Sequence, residues 1–405
     1  MDFKSLALKY KTPLYVYDFG HIKEQFESVQ KAFHARKSLI CYAVKANSNL
    51  SILRYLGKLG AGCDCVSIGE IKRALIAGIS KYKIVFSGVG KDDSEIAYAL
   101  RQDILMLNVE SEEELKRIED IARYMGIKAR ISVRINPDID AKTHPYISTG
   151  LKKNKFGVDI DTAKKLYIYS KKSEWLDPVG IHCHIGSQIL DLKPYDEATK
   201  ITAELLKSLK ALDINIKFFD VGGGIGIRYK DEITIKPYEF AQTVLANLEG
   251  ADVTVICEFG RFLVGNSGYL LTKVLYEKKN GKKRFVIVDA AMNDLIRPGF
   301  YDAYHAIEKI DKKDEKFSKA DVVGPVCESS DFLGKDVLLP QLNYGDLLIV
   351  KSVGAYGFSM SSNYNTRPRC AEVAFTENRY RLIRKRETFE NLIECETECL
   401  VRGNL

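Results

Sequence analysis

Eight short apolar runs, rich in β-branched residues, recur along the first two-thirds of the chain. They are Leu39–Val44, Gly62–Val66, Lys83–Phe86, Ile104–Val109, Ala129–Ile135, Val179–Ile185, Ile216–Val221 and Val253–Cys257. Runs of this kind predict strands covered on both faces, as in a parallel sheet. Between them, Ile68–Ala77, Ser111–Met125 and Lys193–Leu212 place apolar residues at intervals of three and four, the period of an amphipathic helix. Ser111 followed by Glu114 reads as a capping box. Strand and helix alternating eight times predict a parallel (β/α)₈ TIM barrel; a doubly wound open sheet is the structural alternative.

The pattern changes after about residue 265. Gly268–Glu277 and Arg284–Asp289 are extended runs around Asn280-Gly281, a hairpin signal. Asp346–Val353, Cys370–Thr376 and Tyr380–Lys385 add strands, the last two joined at Glu377-Asn378, and Glu387–Leu400 reads as a closing helix. These features predict an antiparallel all-β domain. Leu14–Tyr17 is a further strand, ahead of the first barrel helix (His21–Ala35), and is expected to leave the barrel and join that β domain. The expected division is a barrel over 21–265 and a β-sandwich or β-barrel over 1–20 plus 266–405.

Composition narrows the classes of function. Sixty-one basic against 54 acidic residues leave a net charge of +7, too slight an excess over 405 residues to argue for nucleic acid. No apolar run approaches the roughly 18 residues of a membrane span, and Met1-Asp2-Phe3-Lys4 opens no secretory segment. The nine cysteines are odd in number, lie mostly in apolar runs and include no CxxC pair. They argue against a disulfide framework or a zinc ribbon and for a reducing cytoplasm.

A TIM barrel carries its chemistry at the C-terminal ends of its strands. Here those ends carry Lys45, Asp64, Arg134 with Asn136, His184 with Gly186 and Ser187, Gly222-Gly223-Gly224, and Glu258 with Arg261. Lys45 follows an apolar strand, where desolvation lowers an amine's pKa and suits it to a Schiff base; otherwise it reaches solvent. The three glycines let backbone N–H groups approach a phosphate, or they form a flexible loop. His182 and His184 share a strand face; a metal pair would need a third ligand, so a single ring at the barrel mouth is the preferred reading. Glu258 can hold a proton on a ring nitrogen and Arg261 can grip a carboxylate or phosphate, or the two simply pair with each other. In the β domain, Cys327-Glu328-Ser329 follows Gly324-Pro325, a setting for a thiol acid or nucleophile or for an inert cysteine. Arg297-Pro298 with Tyr301 forms a polar cluster, and Tyr356 sits in a tight turn between Ala355 and Gly357.

Taken in order, these segments resemble the diaminopimelate decarboxylases, group IV decarboxylases with an alanine-racemase-like fold that use pyridoxal 5'-phosphate (PLP). The resemblance rests on Tyr42-Ala43-Val44-Lys45-Ala46-Asn47, His184-Ile185-Gly186-Ser187-Gln188, Asp220-Val221-Gly222-Gly223-Gly224 and Glu258-Phe259-Gly260-Arg261. Arg297-Pro298 with Tyr301, the stretch from Gly324 to Asp331, and Tyr356 complete it. Phe259 stands where the family usually has proline, a departure expected to affect loop stiffness alone.

The resemblance implies decarboxylation of meso-2,6-diaminopimelate to L-lysine and CO₂, the last step of lysine biosynthesis. It implies that Lys45 forms the aldimine with PLP, that His184 stacks on the ring and that Glu258 holds the pyridinium proton. Asp64, Ser187, Gly222, Gly223, Gly224, Gly260, Arg261 and Tyr356 would complete the cofactor site, and no metal is implied. Arg261, Arg297, Tyr301, Glu328 and Tyr356 would read the substrate. Cys327 would reprotonate the α-carbon, reaching the site from the partner chain of a homodimer with shared active sites. Arg297 with Glu328 suits the amino-acid zwitterion at the far end of diaminopimelate. The rival readings are a carboxynorspermidine or basic amino-acid decarboxylase, a racemase, and a non-enzymatic PLP-binding protein.

Overall fold

The computed structural model describes residues 1–140, 149–150, 154–311 and 316–402. The chain divides into two compact units: Lys23–Arg228 with Glu232–Leu263, and Met1–Ile22 with Tyr229–Asp231 and Val264–Leu405. The first strand, β1 (Leu14–Asp18), belongs to the second unit.

The next eight strands form the barrel. They are β2 (Ser38–Ala43), β3 (Gly62–Cys65), β4 (Ile84–Phe86), β5 (Met106–Val109), β6 (Ala129–Ile135), β7 (Leu176–Cys183), β8 (Phe218–Asp220) and β9 (Thr254–Cys257). Each pairs in parallel with the next, and β9 closes on β2. Closure excludes the open-sheet alternative. The physical reason was visible in the sequence: strands such as Ile40–Ala43 and Ile84–Phe86 are wholly buried, walled by helices outside and side chains within. Cys41, Val85, Leu105, Met106, Val179 and Ile256 pack as one apolar cluster.

The intervening helices follow the predicted pattern. Glu112–Met125 buries Leu115, Ile118 and Ala122 on one face, and Gly126 ends it in the left-handed region at φ 64°. Ser111 caps it by accepting the Glu114 N–H, but the Glu114 carboxylate takes the N–H of Glu110 (2.7 Å) and the ammonium of Lys91 (2.7 Å). A buried lysine nearby draws the carboxylate away from the reciprocal capping bond.

The second unit holds β1 and eight later strands. These are β10 (Gly268–Asn280), β11 (Lys283–Val288), β12 (Ile307–Lys309), β13 (Ser318–Val323), β14 (Phe332–Leu339), β15 (Leu347–Lys351), β16 (Ala371–Thr376) and β17 (Arg379–Arg384). The order is β14-β13-β11-β10-β1-β16-β17, with β15 pairing to both β10 and β12. The hairpin at Asn280-Gly281 forms as predicted. Glu377 and Asn378 both have positive φ (47° and 59°), as a type I′ hairpin turn requires.

The sheet is mixed, which corrects the expectation of a purely antiparallel domain: β1 runs parallel to β16, and β11 parallel to β13. Neither pair is joined by a tight turn, so chain connection does not force them antiparallel. The helix Phe3–Tyr10 and strands β12, β13 and β14 were not foreseen. In β14 the run is broken by Gly334 and by the Lys335-Asp336 pair, which hides its period. Among the described residues no helix is long and apolar enough to cross a membrane.

Candidate active site

Strand β2 runs into a single 3₁₀ turn, Val44–Ala46, that carries Lys45. Its Nζ lies 2.9 Å from Oδ2 of Asp64, which is fully buried on the neighbouring strand β3. Burial, then the charge of Glu258, raise the Asp64 carboxyl above its ordinary range, and Lys45 opposes them. Lys45 remains partly exposed, its side chain at 39%. It therefore reaches solvent in part while its ammonium is tied to a buried carboxylate.

His184 follows β7, and its Nδ1 accepts the N–H of Gly223 at 3.1 Å. Desolvation, then the positive charges of Arg134 and Lys45, hold the imidazole well below its usual pKa, so the ring is neutral with its proton on Nε2. Arg134 itself pairs with buried Glu110 (2.8 Å) and approaches the His184 carbonyl (3.4 Å). Asn136 serves its own loop, donating to the Phe156 carbonyl and accepting from Asp138 N–H.

The triglycine loop is fastened in place rather than flexible. Gly222 lies at φ +66°, and a Cβ there would fall 2.6 Å from the Cys183 carbonyl oxygen and 2.7 Å from His184 Nδ1. A Cβ on Gly223 would lie 2.1 Å from the Glu258 carbonyl oxygen. Tyr195 donates to the Gly223 carbonyl, and Ile189 pairs with the loop on both sides of Ile225. Two of the three N–H groups serve the protein itself: Gly222 donates to Asp220 Oδ1 (2.9 Å) and Gly223 to His184.

Glu258 is 5% exposed and follows β9. Its Oε2 accepts from His182 Nε2 at 3.1 Å, and its backbone N–H donates to the Gly222 carbonyl. Its Oε1 is buried without a hydrogen-bond partner. Burial works against ionisation, but the charge and hydrogen bond of His182, with Lys45 and His184 beyond, hold the carboxyl well below its ordinary range. His182 and His184 thus face different partners and do not form a pair. Arg261, 5% exposed, turns to Ser187, donating to Oγ from Nη2 at 3.2 Å. Gly260 lets this turn press against Ala43 and Ala46, 3.1 and 3.0 Å from where a Cβ would stand. Phe259 is buried against Phe240, with ring centroids 5.5 Å apart.

The other named residues lie in the second unit. Arg297 opens the short helix Arg297–Tyr301 and is 7% exposed. Its guanidinium carbon lies 5.6 Å from the ring centroids of both Tyr229 and Tyr301, and Nε approaches His305 Nε2 at 3.4 Å. Cys327 and Glu328 are exposed on a loop held by Asp331, which accepts the N–H groups of Met292 and Val326, both at 2.7 Å. Cys327 N–H donates to Asn365. Tyr356 is half-buried, at φ 57°. His182 and Asp220 were not singled out as site residues by sequence. The available signals were the position of His182 one alternation before His184, and that of Asp220 just before the glycines.

A family model described as the pyridoxal-binding domain of pyridoxal-dependent decarboxylases matches residues 19–265. The diaminopimelate decarboxylase of Helicobacter pylori is 59% identical over 400 residues, covering 98% of this chain and 99% of the relative. The chain belongs to the diaminopimelate decarboxylase family. The Campylobacter jejuni member is 55% identical over 401 residues, 99% of this chain and 100% of its own. A crystal structure of the Helicobacter pylori diaminopimelate decarboxylase complexed with L-lysine superposes with a TM-score of 0.96 at 58% identity, covering 98% of this chain and all of that one. The cofactor of this decarboxylase family is PLP.

Proposed function

We propose that the protein decarboxylates meso-2,6-diaminopimelate to L-lysine and CO₂ with PLP held at the C-terminal end of the barrel. One observation carries the reading. An amine (Lys45), a buried carboxylate oxygen without a partner (Glu258 Oε1) and a glycine loop with no room for a Cβ collect at one barrel end. Those features fit PLP, which offers an aldehyde to the amine, a ring nitrogen to the carboxylate and a phosphate to the loop. The relative of 58% identity that was solved with L-lysine supports the choice of substrate.

When bound, PLP supplies an electron sink for the pair left on the α-carbon as CO₂ departs. Lys45 anchors the cofactor, and Asp64 orients its Nζ and holds the proton there. Glu258, an anion, keeps the proton on the ring nitrogen. His184, neutral and fixed by Gly223, would stack on the ring. With Gly222 and Gly223 donating within the protein, Gly224 N–H, Ser187 and Arg261 would hold the phosphate, with Gly260 letting that turn sit close. Arg297, with Tyr301, Glu328 and Tyr356, binds the substrate, the guanidinium taking the distal carboxylate as a fork. Cys327 gives a proton to the α-carbon. It and Glu328 come from the partner chain of a two-fold homodimer, each chain lending the same loop. The nine free cysteines suit the reducing cytoplasm.

The test is CO₂ release from meso-diaminopimelate, with lysine, ornithine and carboxynorspermidine as competitors for the assignment. Lysine has no distal carboxylate for the Arg297 guanidinium to grip, a loss of up to roughly 10⁴-fold. Release from lysine or ornithine at a comparable rate would overturn the assignment.

A further inference from the structure

Asp220 and Glu258 form a buried carboxyl pair that the proposed reaction does not by itself explain. Strands β7, β8 and β9 lie side by side, with Asp220 in register with His182 on one side and Ile256 on the other. One oxygen of Asp220, one of Glu258 and one ring nitrogen of His182 all lie within 4.8 Å of one another. None of the three residues is more than 5% exposed. Asp220 Oδ1 accepts the Gly222 N–H at 2.9 Å, and the Gly222 carbonyl accepts the Glu258 N–H at 2.7 Å. The two carboxyl residues are thus bound to the same glycine from opposite sides. Asp220 Oδ2 is buried and receives no N–H or O–H donor, with the Glu258 carboxyl as its polar neighbour.

Two carboxyl groups this close and this dry do not both ionise, because each charge raises the cost of the other. One keeps its proton, and the surroundings decide which. Glu258 accepts a hydrogen bond from His182 and feels the charge of Lys45. Asp220 is met by the neutral amide of Gly222 on one side and by the Glu258 carboxyl on the other. His182 and Glu258 lie beside Asp220, and among the other titratable groups that feel its charge are Cys183 on β7, Cys257 at β9, Cys41 on β2 and Asp64 on β3. Of these only His182 is basic, and its Nε2 is committed to Glu258. Burial and then the Glu258 charge push the Asp220 carboxyl well up, whereas Glu258 stays well down.

We propose that Asp220 works as a neutral acid: it shares its proton with Glu258 while its other oxygen anchors Gly222, and so it positions Glu258 and the glycine loop as one piece. Asp220 is a positioning residue, and this role rests on the reading that Glu258 faces the cofactor's ring nitrogen. The arrangement leaves Glu258 the single anion of the pair. It also ties the group that meets the ring to the loop that receives the phosphate, so neither shifts without the other.

The experiment is infrared spectroscopy of the PLP-loaded protein carrying ¹³C at the aspartate side-chain carboxyl, read near neutral pH. A label-sensitive carboxylic-acid C=O band is expected in the wild type and absent in Asp220→Asn. In Glu258→Gln the neighbouring charge is gone, so the band should titrate away at lower pH than in the wild type. PLP titration gives a second readout. Asp220→Ala should bind about 10- to 100-fold more weakly, and Asp220→Asn, which keeps an acceptor and a neutral donor, should recover about tenfold of that loss. A wild type without the band, a band that survives Asp220→Asn, or Asp220→Asn as weak as Asp220→Ala would each overturn the proposal. Normal turnover in Glu258→Gln with the Asp220 band intact would instead overturn the cofactor role of Glu258.

Discussion

Arg284 in the β unit and Glu258 in the barrel are both charged residues at most 7% exposed, yet their surroundings differ in kind. Arg284 spends its donors inside the unit: on both oxygens of Glu277, on Ser318 Oγ (2.9 Å) and on the carbonyls of Leu339 (2.9 Å) and Pro340. Glu372 in the same unit is likewise met by Tyr17 and Arg384. In the barrel, Glu258 keeps one oxygen unpaired. Asp64, Asn108, Ser132, His182 and Asp220 each leave one atom so, and among the described residues all six such buried atoms belong to the barrel unit. Buried polar groups that are fully met specify a fold; groups that a fold leaves unmet are costly unless a ligand meets them. The β unit uses its polar interior to hold shape; the barrel leaves part of its own unmet, including Glu258 Oε1, the oxygen proposed to meet the cofactor's ring nitrogen.

The first way to break this contrast is Arg284→Ala. Removing one side of a buried, fully bonded ion pair should cost about 3–5 kcal/mol of folding free energy. Denaturant unfolding reads this loss, while PLP binding by the folded fraction should be unchanged. A loss of stability under about 1 kcal/mol would remove the structural half of the contrast. Glu258→Gln should do the opposite. Turnover should fall about 10²-fold, the scale of one preorganised electrostatic contact, with folding stability held or raised. Near-normal turnover would mean that the unpaired oxygen has no part in the chemistry.

The smallest effect concerns Glu70, which accepts the Val66 N–H at the start of the helix Ile68–Ile76. Burial, with the charge of Asp64 adding, raises its carboxyl to about 7, against the opposing bond from Val66. A raised folded pKa means that the fold favours the protonated form. The stability this contributes is complete below the ordinary value of 4.5 and is lost as pH rises through about 7. Glu70→Gln should therefore melt higher than wild type at pH above about 8, with the difference closing as pH falls toward about 4. A difference that does not change with pH would show that Glu70 titrates normally.

The barrel was legible because strands buried on both faces write themselves as unbroken apolar runs. The later sheet was harder to read: its strands meet water on one side, β14 is interrupted by Gly334 and two charges, and its parallel pairings join segments far apart in sequence. At the site, Lys45, the glycines and Glu258 could be picked out because each ends a strand. The uses of His182 and Asp220 could not, since both depend on which side chains three neighbouring strands bring into contact. The loop likewise read as three available N–H groups, and only the fold shows two of them spent on Asp220 and His184.

The proposed site stands on Lys45 as the residue that holds PLP, beside the unpaired Glu258 oxygen. Borohydride reduction of the PLP-loaded protein, followed by peptide mapping, tests it most directly. One pyridoxyl adduct is expected, on Lys45, and none in Lys45→Ala. An adduct on any other lysine of the wild type, or one that persists in Lys45→Ala, would contradict it.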